Sequence, residues 1–335
     1  MKNSCLICFL GLFLFLASCN ESSQKDNSQS QTKAENNKVE ILIPDFNSDS
    51  AYAFIEKQLS FGTRVPNTPS HDACGDWIEG KLKEFGADVI VQKASVKAYD
   101  GTKLNISNYI GQFQPEKANR LLLMAHWDTR PVADHDPDPE KKDLPISGAN
   151  DGASGVAVLL EVARHLSNNN PALGIDIVLF DAEDYGSPEH LDIEWTADSW
   201  CLGSQYWSNN PHVKDYYARY GILLDMVGGE NAIFTQEEVS VYYAQSVIDN
   251  VWQVARDIGY SSRFSREKTP QIVDDHRYVN EILGIPSIDI IQYDHSTESH
   301  FGTYWHTHAD NIDAVNKQTL QAVGEVVINV IFKEK

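Results

Sequence analysis

Basic residues are scarce in this sequence. Lysine and arginine number 27 against 48 aspartates and glutamates, a formal net charge of -21 over 335 residues. A chain so short of positive charge has no basic surplus to neutralise phosphates, which argues against nucleic acid as a partner. The acidity by itself says no more than solubility and mutual repulsion. Long apolar runs are also missing, since Leu6 to Ala17 is too short for a typical spanning helix. No internal repeat is visible, and no second linker follows Ile41.

Cysteine is sparse, at five residues. Met1-Lys2, the apolar run and the closing Leu16-Ala17-Ser18-Cys19 read as a secretory signal over residues 1–18. The ending resembles a bacterial lipobox, which makes Cys19 the lipidated mature N-terminus and places the protein in the bacterial cell envelope, on the periplasmic or surface side. Cys5 and Cys8 then leave with the signal, and Cys74 and Cys201 remain. An oxidising envelope permits them to pair, and two buried free thiols are equally compatible. Residues 19–40 read as a lipidated terminus and flexible tether, because Asn20 to Lys38 is polar, low in complexity and free of aromatics.

What is present is an ordinary globular composition, 42% hydrophobic and 22% charged. Residues 41–335 are expected to form one catalytic domain. Helices are predicted over 51–59, 70–85, 156–166, 246–258 and 317–331, with Asp310-Asn311 as a further helix start. Strands are predicted over 88–92, 105–113, 121–125, 175–180, 221–224 and 287–291. The alternation, with continuously apolar strands, predicts an α/β fold with a mostly parallel sheet. The first strands are expected to add antiparallel edge pairing.

In such sheets functional groups gather beyond the carboxyl ends of the strands. Read in order, those ends carry His126-Trp127-Asp128, Asn150-Asp151-Gly152, Asp181 to Asp184, Asp225, Asp274-Asp275-His276 and Trp305-His306-Thr307. Carboxylates and imidazoles converging at one edge suit Zn2+, which also compensates their charge. In the adjacent pair Glu183-Asp184, one carboxylate can bind metal while the other serves as general base or acid. Taken alone, each of these residues is as readily a solvated loop acid or a packed aromatic.

The motifs His126-x-Asp128, Gly148-Ala149-x-Asp151, Phe180-Asp181-x-Glu183, Gly203-Ser204, Leu224-Asp225 and Trp305-His306-Thr307 resemble those of the zinc-dependent glutaminyl-peptide cyclotransferases, from about Ala51 to Phe332. These enzymes, of the animal type with bacterial relatives, share the fold of the M28 zinc aminopeptidases. The resemblance implies a three-layer, M28-like domain with helices on both faces of the sheet. It also implies conversion of N-terminal glutamine to pyroglutamate with release of ammonia. By the same match, Asp151, Asp184 and His306 are the ligands of a single zinc and Glu183 is the proton shuttle. Asp225 and Asp274 are a hydrogen-bonded acid pair in the pocket. Trp195, eight positions before Gly203, and Phe301, four before Trp305, fall with Trp305 as pocket walls.

Two positions depart from the family pattern: Asp184 replaces the usual glutamate, and Val273 stands where animal cyclases commonly have glutamine. His126 and Asp128 are expected behind the ligands or at a second metal. With His126, Asp151, Asp184, Asp225 and His306 all present, a two-zinc aminopeptidase is the alternative, and one zinc per chain is the expectation. The expected partners are peptides or exported proteins beginning with Gln, the membrane is met only through Cys19, and the protein is expected to be a monomer.

Overall fold

The fold is described from a computed structural model, which covers residues 43–335 apart from Glu194. The signal, Cys19 and the tether lie outside the described residues. The chain runs α1 (Ser48–Leu59), α2 (Pro69–Glu84), β1 (Asp88–Lys97), β2 (Lys103–Phe113), β3 (Arg120–His126), α3 (Ala153–Leu166), β4 (Gly174–Phe180), α4 (Leu202–Asn209), β5 (Gly221–Asp225), β6 (Phe234–Glu237), α5 (Glu238–Asp257), β7 (Phe264–Thr269), α6 (Asp275–Tyr278), β8 (Ser287–Ile291) and α7 (Lys317–Lys333). The described residues all fall in one compact unit.

Six strands make the central sheet, in the order β1-β2-β4-β3-β5-β8. β4, β3, β5 and β8 run parallel, while β1 and β2 are antiparallel additions at one edge. The parallel strands are apolar at nearly every position because both faces are covered. Leu121, Leu123 and Ala125 of β3 face one core with Ile175, Ile177 and Leu179 of β4. Residues of α1, α2, α3, α5 and α7 fill that core. Leu122 and Met124 face the other side, where Trp207 of α4 and Val279 pack with Val178 and Phe180. The expected three layers are therefore present.

Parallel pairing brings His126 level with Phe180, and Asp225 level with Ile291. The strand ends thus form one edge, and the loops that leave it carry the site. Asp310-Asn311 does not begin a long helix. Asn311 caps a short 3-10 turn over Ile312–Ala314, and α7 starts at Lys317 behind Asn316, whose side chain accepts from Gln318 and Thr319 N–H. Asp310 is used elsewhere. Its two oxygens accept the backbone N–H groups of Asn150 and Asp151 at 2.8 and 3.1 Å, fixing the loop that enters α3. α4 and the two-stranded pair β6-β7 were not foreseen. Cys74 and Cys201 are both buried free thiols, so the disulfide alternative falls.

Candidate active site

Each loop at the sheet edge is held in a conformation that presents one side chain. Asp151 precedes Gly152, whose φ of +91° suits glycine. A Cβ there would stand 2.7 Å from the Asp128 carbonyl oxygen and 3.1 Å from the His126 ring. Ala182, Met226 and His306 are non-glycine residues with left-handed backbones, at φ of +52°, +47° and +52°. Such conformations cost free energy and persist where surrounding bonds enforce them. Behind the Glu183-Asp184 loop, Asp128 supplies those bonds. It accepts Glu183 N–H at 3.1 Å and Asp184 N–H at 3.3 Å.

His306, Asp151 and Asp184 converge. His306 Nε2 lies 3.3 Å from Asp184 Oδ1 and 3.6 Å from Asp151 Oδ2, and the three offer ligand atoms all within 4.8 Å of one another. Asp184 Oδ2 is buried without a hydrogen-bond donor. An orphaned carboxylate oxygen beside an imidazole and a second carboxylate is the donor set of a catalytic zinc, so the residues fit the metal that the sequence implies. Asp184, though one methylene shorter than the family's glutamate, reaches the cluster.

The imidazole is itself oriented. His306 Nδ1 stands 3.3 Å from Asp134, and Arg130 pairs with both Asp134 oxygens at 2.8 and 2.5 Å. Trp200 lies parallel to the His306 ring at 6.1 Å between centroids, 8° from coplanar, and Trp305 covers it at 3.7 Å. Arg130 stacks on the Trp200 ring at 4.5 Å.

His126 joins a second cluster rather than the first. Its Nε2 lies 3.1 Å from Asp151 Oδ1 and 3.2 Å from Asp225 Oδ1. Burial disfavours the imidazolium, but hydrogen bonding to Asp128, Asp151 and Asp225 outweighs it and raises the pKa well above the ordinary value. Burial is also the main reason that Asp225 is pushed up to about 7.

Asp225 and Asp274, the expected acid pair, line one pocket, and each also has another neighbour. Asp225 bonds to His126, and Asp274 groups with Asp289 and His276, their donor atoms within 4.8 Å. Asp289 lies in mid-strand on β8, where burial and the charges of Asp274 and Asp225 push its pKa well above the carboxylate range. A neutral acid in that place is the better neighbour for Asp274.

Glu183 stands outside the metal cluster, with Oε2 3.9 Å from His126 Nδ1. Burial, then the charges of Asp274, Asp184 and Asp275, raise its proton affinity well above that of a free glutamate, against the pull of His126.

Glu183, Asp225 and Asp274 line one small cavity of about 60 Å3 together with the three candidate ligands, and Trp200, Phe301, Trp305 and Val273 wall it. Trp195 is not among these walls. It is 54% exposed and lines an outer cavity of about 340 Å3, which shares Trp200, Val273, Phe301 and Trp305 with the inner one. Beside Trp305, the tryptophan that the Trp195 loop contributes to the inner cavity is thus Trp200. Sequence reasoning missed it, along with Arg130, Asp134 and Asp289. Its signal was its place five residues after Trp195 in the same loop.

The family model for peptidase family M28 matches residues 108–331. The chain belongs to peptidase family M28. Among solved structures, this M28 protein is 54% identical to the Tannerella forsythia glutaminyl cyclase, covering 87% of this chain and all of that one, with a TM-score of 0.86. It is 50% identical to the Bacteroides thetaiotaomicron glutaminyl cyclase bound to N-acetylhistamine, over 88% of this chain and all of that one, also at 0.86. A Zn-dependent exopeptidase from Parabacteroides distasonis is similar too, at 52% identity, the same coverage of 88% and 100%, and a TM-score of 0.86. Among curated relatives, Bacillus subtilis aminopeptidase YwaD is 28% identical over 80% of this chain, which spans 54% of that protein's length. The glutaminyl-peptide cyclotransferase of Boiga dendrophila is 23% identical over 79% of this chain and 75% of its own.

Proposed function

We propose that this M28 protein is a zinc-dependent glutaminyl-peptide cyclotransferase, which closes an N-terminal glutamine onto its own α-amine and releases ammonia. The observation that carries the reading is Glu183. It is a buried acid of raised proton affinity, free of the candidate metal ligands yet lining the same small pocket. The similarity to solved glutaminyl cyclases over nearly the whole described chain supports it.

Asp151, Asp184 and His306 would hold the zinc, one ion per chain, and bound there it supplies an electrophile for the γ-carbonyl oxygen of the substrate. Trp200, Phe301 and Trp305 confine the glutamine so that the amine folds back toward its own side chain, which is catalysis by proximity. As the amine nitrogen bonds to the γ-carbonyl carbon, Glu183 takes a proton from that nitrogen. It then returns the proton to the amide nitrogen, which leaves as ammonia when the carbon–nitrogen bond breaks. Asp225 and Asp274, both on the pocket wall, are placed to accept hydrogen bonds from the amine. The larger outer cavity, with Trp195, leaves room for the residues that follow.

The test is to incubate the purified protein with a peptide beginning with Gln and follow its mass. Loss of ammonia is the expected result. Cleavage of the first residue, whatever its identity, would favour the aminopeptidase alternative.

The substrates proposed are exported chains that begin with Gln after signal removal, met where lipid on Cys19 anchors a monomeric enzyme to the envelope. Fractionation of wild type beside Cys19→Ala tests this. Wild type in the soluble fraction, or an Ala variant still bound to membrane, would refute the anchor.

A further inference from the structure

Cys201 touches the reacting machinery without being one of the residues assigned to it. It precedes α4 with a left-handed backbone, φ +57°, a conformation that costs a non-glycine residue free energy. Two backbone bonds enforce it. Cys201 N–H donates to the Glu183 carbonyl at 2.9 Å, and Leu202 N–H donates to the Ala182 carbonyl at 3.0 Å. Ala182 is itself left-handed, at φ +52°, so two strained turns lock onto each other. Gly203 permits the approach, since a Cβ there would stand 2.2 Å from the Asp181 carbonyl oxygen.

The lock delivers one side-chain contact. Cys201 Sγ donates to Glu183 Oε1 at 3.3 Å. Among the described residues no other side chain donates a hydrogen bond to the Glu183 carboxyl. The nearest imidazole nitrogen, His126 Nδ1, is 3.9 Å from Oε2. Burial and the charge of Glu183 hold the thiol well above its ordinary pKa, so it remains S–H, a donor.

We propose that Cys201 is a positioning residue of the cyclisation: its thiol fixes the orientation of the Glu183 carboxyl, leaving the second oxygen to carry the proton from the α-amine to the departing ammonia. This rests on the cyclase reading. Sulfur suits the task. A thiol is a weak donor and sets the direction of the carboxyl while competing little for the lone pairs that must take up the proton. A carboxyl that has lost its only side-chain donor samples several rotamers, and proton transfer is sensitive to such misplacement.

Cys201→Ala and Cys201→Ser decide the matter, measured with a Gln-initiated peptide beside zinc content and affinity for N-acetylhistamine. In the Ala variant kcat should fall roughly tenfold while KM, zinc content and N-acetylhistamine affinity stay within about twofold, because only proton transfer is impaired. Serine, again a donor, should restore kcat to within about threefold of wild type. An Ala variant with kcat within about twofold of wild type overturns the proposal, as does a Ser variant as slow as Ala. Should the Ala variant fail to fold, Ser alone decides by the same threefold limit. Failure of the cyclase reading looks different, because the wild type itself would then release no ammonia.

Discussion

Asp128 holds the backbone of Glu183. Its Oδ1 accepts the Glu183 N–H at 3.1 Å, and its Oδ2 accepts the N–H of the next residue, Asp184, at 3.3 Å. One fully buried carboxylate therefore sets both the proposed proton carrier and a candidate zinc ligand. Outer groups of this kind are worth about 10- to 100-fold in metal affinity or activity. Asp128→Ala should lower kcat/KM by about that factor and speed zinc loss to a chelator. Asp128→Asn, which keeps one acceptor oxygen, should lose less. Steady-state kinetics and chelator time courses on both variants check the order.

Glu183 separates an enzyme from a peptide-binding protein on an inherited fold. Glu183→Gln keeps the shape of the side chain and removes its capacity to carry a proton. Turnover should drop roughly 10²- to 10⁴-fold with zinc retained. A wild type already inactive, with a Gln variant that binds peptide equally well, would mean that the protein only binds.

The parallel strands were legible because burial on both faces leaves little that is polar in them. Leu121 to Ala125 and Ile175 to Phe180 contain almost no alternative reading beyond Asp176. The short pair β6-β7 was not, since Phe264–Thr269 is mostly exposed and carries Arg266, Glu267 and Lys268 without apolar alternation. α4 has only eight residues, too few to show a periodicity. At the site, residues on strand ends were readable because the topology alone brings them together. Partnerships made through space were not. Asp289 looks like a flaw in the run Ile288 to Ile291, yet it stands beside Asp274, just as His126 stands beside Asp225.

Acid sensitivity should arise in part at Glu237, away from the candidate zinc ligands. Burial would raise its pKa, but His276 and the cap of α5 overcome this and hold it below the ordinary value. His276 Nε2 lies 3.0 Å from Oε1, and Val239 N–H donates to Oε2 at 2.8 Å. A carboxyl whose folded pKa lies below its unfolded one contributes stability at pH above the unfolded value, about 4.3. That contribution disappears as pH falls through the folded value. Glu237→Gln, which keeps an acceptor oxygen but loses the charge, should cost roughly 1.5–3 kcal/mol at neutral pH, the range for hydrogen bonds to a charged group. It should also flatten the fall in stability below about pH 4.3. Denaturant unfolding of both proteins from neutral to acid pH checks this. Parallel curves for wild type and variant would exclude Glu237 as a source.

The metal count bears on the reaction itself, because two ligand clusters share Asp151. The first is Asp151, Asp184 and His306; the second is His126, Asp151 and Asp225. In the second cluster the imidazole is already committed. His126 Nε2 bonds to Asp225 Oδ1 and lies against Asp151 Oδ1, while its Nδ1 lies 3.5 Å from Asp128. A second ion would have to displace these contacts, whereas the first cluster offers an Asp184 oxygen with no competing donor. Chelation should therefore abolish cyclisation, and one equivalent of zinc should restore it. His126→Gln should leave the zinc content at one. If gently purified protein holds two zinc ions and His126→Gln removes one of them, the second cluster is a true metal site, and the hydrolytic reading gains at the expense of the cyclase.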